Sequence, residues 1–249
     1  MENESHPLLL KELGEVRSIF IRFALALFAV ALLMLAVGTP SPATRLFALM
    51  KASLLPPGVS VVALGPLSSF IAPISIAFMV AFIISFPYLL FSLLRYVRPA
   101  LYEKERRAIS YLFFFSLALF FSGCAFGYAI LIPNTLAVLY SFAGPLGVTP
   151  FFSLDAFIGA VFGLTISAGI SFLIPVIMIT LSSVGLVPAV AWKSHWRAAV
   201  LVVFVFSALI TPDGSGVTMV ILSVPLLLLY GAGALFSPRR AGPDGHVDK

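Results

Sequence analysis

Apolar residues come in long blocks along this chain, parted by short polar segments. Five blocks, residues 18–37, 68–94, 111–132, 155–180 and 217–236, are almost free of charge. Each reaches the about 20 residues that a helix needs to cross a hydrocarbon core. A sixth block, 198–210, has 13 residues before Thr211-Pro212-Asp213-Gly214. At helical rise it spans roughly 20 Å, short of a ~30 Å core. Pro73, Pro87, Pro175 and Pro225 fall inside blocks, where they kink a spanning helix and free carbonyls that neighbours must satisfy.

The polar segments have patterns of their own. In the leader, Leu9, Leu10, Leu13 and Val16 recur at helical spacing with Lys11, Glu12 and Glu15 between them. Residues 7–17 are therefore expected to form a short amphipathic helix on the membrane surface, running into the first span. Residues 38–67 make the longest connection, rich in Pro and Gly, yet 43–55 set Phe47, Met50 and Leu54 on one side, as a second interfacial helix would. The third span is expected to stop at Pro133-Asn134, followed by an outer loop over 135–154 without Lys or Arg. The pattern predicts an all-α, polytopic integral membrane protein with six spanning helices in a single transmembrane domain, 1–249. It comprises a polar leader 1–17, spans over 18–236 and a short tail 237–249.

Composition agrees: 61% of residues are apolar, 10% are charged and the mean hydropathy is +1.11, against roughly 25% charged in a soluble domain. The leader is acidic and its apolar block long, so a retained span is expected rather than a cleaved signal. Of the 15 Lys and Arg, only Arg45 and Lys51 fall on the side opposite the leader, the 95–107 loop, Lys193, Arg197 and the tail. That bias puts both termini and the charged loop in the cytoplasm. The single Cys124 allows no disulfide within the chain.

Charge placement also narrows function. Apart from Arg22, which can snorkel, and the boundary residue Asp155, the spans carry no ionisable Asp, Glu, Lys, Arg or His. A proton relay or ion-coupled pump normally needs such groups at depth. His6, His195 and His246 lie in cytoplasmic segments, so Ser122 has no base to activate it, and no metal-ligand spacing is present. An enzyme is disfavoured, and no cofactor, metal or nucleic-acid partner is implied. The densest polar segment, 95–110 (RYVRPALYEKERRAIS), has seven charged residues. Its Glu103 and Glu105, with Glu12 and Glu15 of the leader, admit two readings. Either they are neutralised surface charges, worth about 0 to 1 kcal/mol per pair, or a carboxylate from each segment converges on a cationic ligand. Arg suits that role best because its planar fork bonds a carboxylate bidentately.

The motifs resemble a known family, the TatC subunit of the twin-arginine protein translocase, over about residues 8–240. Pro99, Leu101, Tyr102, Glu105 and Arg106 match its P-x-L-Y-x-x-E-R pattern, and Glu15-Val16-Arg17 stands in place of its E-L-R. Phe70 and Pro73 match in the second span, and Phe120, Gly123, Phe126, Tyr128 and Pro133 in the third. Phe172 and Pro175 match in the fourth, and Thr211-Pro212-Asp213 resembles the T-P-P-D turn. The resemblance implies six spans with both ends cytoplasmic, in a concave, glove-like bundle with short fifth and sixth helices. It implies a receptor and scaffold in the cytoplasmic (inner) membrane that binds the paired arginines of signal peptides on folded precursors. It further implies assembly with TatA/TatB-type single-span proteins, and as a homo-oligomer in the receptor complex, for export driven by the proton-motive force. Carried over by position, Glu15 and Glu105 receive the arginines, with Tyr96, Arg17 and Arg106 shaping the pocket. Phe70, Pro73, Pro99, Leu101, Tyr102, Phe172, Pro175 and Asp213 are partner-contacting or structural. The chain departs from the family at Leu173, where many members have Glu, at Ser92 and Leu94, where Gln and Trp are usual, and at Met219. The competing reading from another class is a self-sufficient small-solute transporter or channel.

Overall fold

The structure, a computed structural model, describes residues 5–36, 41–55, 59–97, 108–141, 151–212 and 216–238. Helix α1 (Ser5–Ala36) takes in much of the leader and the first apolar block as one element of 32 residues, so the expected surface helix is continuous with the first span. Helix α2 (Pro42–Leu54) is the interfacial segment. Ser41 caps it, its Oγ accepting from the Thr44 amide at 3.4 Å, and Pro42 opens it with the preset φ of a first helical position. Met50 and Leu54 are buried, and Phe47 meets Phe157 edge to face at 6.3 Å.

Strand β1 (Ser60–Val62) pairs in parallel with β2 (Phe151–Ser153), Val61 opposite Phe152. This small sheet was not expected from the pattern, because three-residue strands leave too little periodicity to recognise. Between them, α3 (Pro66–Val97) runs unbroken through Pro73 and Pro87. Helix α4 (Ala108–Phe126) leads into a π-helical stretch, Gly127–Leu131, and on into α5 (Ile132–Ser141). The expected stop at Pro133 is therefore overturned. The wider π register carries the chain past the proline, and two side chains take carbonyls at the irregularity: Asn134 Nδ2 donates to Ile130 O at 2.7 Å and Thr135 Oγ1 to Leu131 O at 2.8 Å.

The fourth block divides in two. Helix α6 (Leu154–Ser171) is capped by Ser153, whose Oγ accepts from Ala156 N at 3.2 Å, and Asp155 adds an acidic group to its first turn. The chain turns at Phe172-Leu173 and restarts as α7 (Ile174–Val184), with Pro175 at its second position, where a missing amide costs nothing. Gly185, at φ +86°, closes α7 in the left-handed region that suits glycine. Short α8 (Ala189–Ser194), then α9 (Trp196–Ile210) and α10 (Val217–Phe236), complete the described elements.

Among the described residues, five helical stretches are long and apolar enough to cross a membrane: Gly14–Ala36, Pro66–Tyr96, Ser110–Ser141, Leu154–Val184 and Val217–Phe236. Trp196–Ile210 is apolar but shorter. Large apolar side chains such as Leu25, Phe114, Leu209 and Leu228 point outward, which suits hydrocarbon and not water. Inside, one cluster gathers Met50, Ile76, Leu131, Phe157, Leu222 and Leu226. A second gathers Phe86, Leu90, Leu94, Phe120, Leu173 and Val176, with the rings of Phe86 and Phe120 stacked at 3.8 Å.

Helices α4 and α6 cross where neither has a side chain to keep them apart. A Cβ on Gly123 would stand 2.7 Å from Ala168 O, and one on Gly169 would stand 2.5 Å from Cys124 Sγ. Gly123 and Gly127 repeat at the small-xxx-small spacing that lets membrane helices approach closely. A Gly123→Ala methyl would also lie 2.9 Å from Gly169 Cα, and rotamer changes cannot move backbone. We expect this variant to lose about 1 to 3 kcal/mol of stability, read as a lower thermal unfolding midpoint in detergent. Gly159→Ala, whose methyl meets nothing within 4 Å, should change stability by about 0.5 kcal/mol or less. Equal midpoints for the two variants would remove the close crossing.

Candidate functional site

Three helix ends meet where the charged segment begins and ends. Phe23 packs on Phe82 and Phe28 on Phe78, each pair at 5.7 Å and nearly perpendicular, so α1 and α3 run antiparallel. Extending that register by helical rise sets Glu15 and Arg17 against the last third of α3. Phe91 meets Phe113 at 5.5 Å and Phe86 meets Phe120, so α3 and α4 are antiparallel too. The start of α4 therefore stands level with the end of α3. Residues 98–107 join these two ends, and the polar end of α1 lies alongside.

The described candidates at this end are Glu15, Arg17 and Tyr96. Glu15 and Arg17 are exposed, Tyr96 is half-buried and the neighbouring Arg95 is exposed. Ser18 Oγ donates to the Glu15 carbonyl at 2.7 Å, and Ile19 and Phe23 anchor the same turns of α1 on the cluster around Phe86 and Leu90. Pro99, Leu101, Tyr102, Glu105 and Arg106 lie outside the described residues, as does Asp213. Among the described residues, no group of three His, Cys, Asp or Glu stands close enough to hold a metal ion.

The other candidates are distributed through the fold. Phe70 is 68% exposed near the start of α3, and Pro73 is half-buried one turn on. Phe172 and Pro175 are buried at the break between α6 and α7, where Phe172 packs on Phe126 at 5.5 Å. Phe172 and Phe126 thus form one contact, whereas Phe70 faces outward.

Two polar links were not foreseen from the sequence. Tyr128 OH lies 2.7 Å from Ser53 Oγ and ties the π stretch to α2. Ser68 Oγ donates to Asp155 Oδ2 at 2.5 Å and ties the start of α3 to that of α6. Each joins residues more than 70 positions apart, so no local pattern announces them. Next to Asp155 a cavity of about 440 Å³ opens between α3 and α6, lined by Ile71, Ser75, Phe78, Ile158 and Phe162.

Comparison with known proteins adds a family context to this geometry. The family model TatC, Sec-independent protein translocase protein (TatC), matches residues 11–225. The Sec-independent protein translocase protein TatC of Cenarchaeum symbiosum is 37% identical over 191 residues, covering 77% of this chain and 72% of that protein. The Aquifex aeolicus protein of the same name is 34% identical over 76% of this chain and 79% of its own. Two crystal structures of the twin arginine translocase receptor TatC superpose on the fold. One has a TM-score of 0.75 at 31% identity, over 90% of this chain and 96% of that chain. The second, in DDM, has a TM-score of 0.77 at 30% identity, over 91% and 99%.

Leu173 is 6% exposed and belongs to the cluster of Phe86, Phe120 and Val176. Leu173→Glu would place a carboxylate among apolar groups. An uncompensated buried charge costs about 3 to 5 kcal/mol, so the variant should unfold at much lower temperature in detergent. Leu173→Met, close in volume, should cost less than about 1.5 kcal/mol. A stable Glu variant would mean that the side chain escapes to a polar surface.

Proposed function

This chain belongs to the TatC family, and on that premise we propose that it is the receptor and core scaffold of a twin-arginine translocase. It is a multi-pass membrane protein whose family works with other translocase components. The proposal sets it in the cytoplasmic (inner) membrane with six spans, α9 being the short one, and both termini in the cytoplasm, on the strength of the Lys and Arg bias. Its cargo is folded precursors with paired arginines in their signal peptides. Its partners are TatA/TatB-type single-span proteins and further copies of itself, and export draws on the proton-motive force.

The observation that carries the reading is the meeting of α1, α3 and α4 around the charged segment. Glu105 precedes α4 by three residues in the sequence. Glu15 is exposed at the same end of the bundle. In this reading the two carboxylates, ninety residues apart in sequence, are the pair that receives the adjacent guanidinium groups. Tyr96, the penultimate residue of α3, supplies an aromatic face for one of them. Arg17 and Arg106 are the basic residues that this reading assigns to shaping the pocket.

Such a site selects Arg over Lys by geometry, because only the guanidinium bonds a carboxylate through two parallel N–H groups. The scarcity of ionisable groups at depth fits a receptor whose conducting path is completed by partners.

Glu105→Gln keeps the shape and removes the charge. With each charge-assisted bond worth about 1.5 to 3 kcal/mol, it should weaken photocrosslinking of a twin-arginine precursor to the purified protein by at least about tenfold. Glu15→Gln should weaken it less than the two changes together. Undiminished crosslinking in the double variant would remove the pocket. The chain reconstituted alone should pass neither ions nor small solutes in a flux assay, and measurable flux would favour a self-sufficient channel.

A further inference from the structure

A second site lies away from the charged segment. Between α7, α8, α9 and α10 opens a groove of about 500 Å³, walled by Ile177, Met178, Ala191, Ala199, Val202 and Tyr230, within the usual range for a small-ligand pocket. Ile177 and Val202 on its rim are 52% and 64% exposed, so the groove opens sideways, toward lipid. Its apolar lining has little to offer a polar solute.

One end of the groove is different. Trp192 Nε1 donates to Ser182 Oγ at 2.9 Å, and Tyr230 OH donates to Trp192 O at 2.7 Å. These bonds satisfy both aromatic side chains and fix them at the groove, as Trp and Tyr are fixed at membrane–water interfaces. His195 also lines this end, with Nδ1 2.9 Å from Ala191 O. It stands at the junction of α8 and α9 and gives α9 no side-chain cap. The amides of the first turn of α9 are thus left for an outside acceptor, at the positive end of the helix dipole. Lys193 and Arg197 flank the junction, both exposed, Arg197 lying 5.7 Å over the Trp196 ring. Residues 156–212 and 216–238, which build the whole groove, contain no Asp or Glu. The helices that build the groove therefore bring no carboxylate to these cations.

An apolar slot that opens toward lipid and ends at His195 and an uncapped helix start, with the exposed Lys193 and Arg197 within two residues of that end though outside the lining itself, matches one amphiphile in head and tail. We propose that the groove binds an anionic phospholipid, with an acyl chain in the slot and the phosphate between Lys193, His195 and Arg197 at the start of α9. A second copy of this chain, with its net charge of +5, brings no surplus of acid to those cations. An apolar spanning helix would fill the slot but leave the cations unanswered.

The test is lipid retention by the full-length protein in detergent, followed by native mass spectrometry. The probes are phosphatidylglycerol, phosphatidylcholine with the same acyl chains, and inorganic phosphate. Phosphatidylglycerol should be retained about tenfold more strongly than phosphatidylcholine, the size expected from two surface cations, and phosphate alone should not be retained. Lys193→Gln with Arg197→Gln should bring the two lipids to parity without changing phosphatidylcholine. Val202→Trp, a change at an exposed position, should fill the slot and reduce both. Size-exclusion profiles matching the parent keep folding out of the comparison. Equal retention by the parent, or an undiminished preference in the double variant, would overturn the proposal. So would photocrosslinking from position 202, in native vesicles, to a protein helix in place of lipid.

Discussion

In hydrocarbon, a backbone carbonyl that loses its helical partner has no water to turn to. Much of the irregular structure in this chain follows from that constraint. At Pro133 the helix widens to a π register, and just beyond it the side chains of Asn134 and Thr135 turn back to the carbonyls of Ile130 and Leu131 in their own helix. At Pro175 the chain ends one helix and starts another, so the missing amide falls where no helical bond was due. Three of the hydroxyls inside the spans follow the same rule: Ser116, Ser171 and Ser223 each donate to the carbonyl four residues earlier, spending their polarity within their own helix. Those of Ser85, Thr165, Thr180 and Ser207, by contrast, are buried without a partner among the described residues.

Once each helix has satisfied itself, lipid supplies little hydrophobic drive for helices to associate, and closeness of packing decides which ones do. Gly123, Gly127 and Gly169 let α4 and α6 approach until backbone meets backbone, and Gly233 does the same for α10 against Pro175. These crossings reach the end of the bundle where α1 turns polar through shared residues. Phe120, on α4, touches the Gly169 crossing on one side and stacks on Phe86 of α3 on the other. Phe82, four residues from Phe86, packs on Phe23 of α1. A line of contacts therefore runs from the α4–α6 crossing to the helix that carries Glu15 and Arg17, and it holds together the ends between which the charged segment is strung.

The motif residues read alike in the sequence and differ in the fold. Phe70 and Phe172 both belong to short aromatic-proline patterns, yet one faces outward and the other fills the α6–α7 break. Leu173 is buried in the cluster around Phe86 and Phe120, which explains why an apolar residue is at home here. Glu15 and Glu105 were recognisable as carboxylates set among arginines; the placement of Glu15 beside the last third of α3 rests on ring contacts far from it, Phe23 on Phe82 and Phe28 on Phe78. The Ser53–Tyr128 and Ser68–Asp155 links left no trace in the pattern, because serine is unremarkable in a membrane helix until its partner is known.

By itself, the sequence determined the class of structure and the extent of its membrane-length segments, because a charge-free run of sufficient length has little choice in hydrocarbon but to become a helix. It also marked the segment where charge is concentrated. Only the tertiary structure decided what each proline does. Helix α3 passes through Pro73 and Pro87, the third span passes Pro133 by way of a π stretch, and the fourth breaks ahead of Pro175. The same ring gives different outcomes because its effect depends on which nearby group, often from another turn or another helix, is in place to accept or replace the bond it removes.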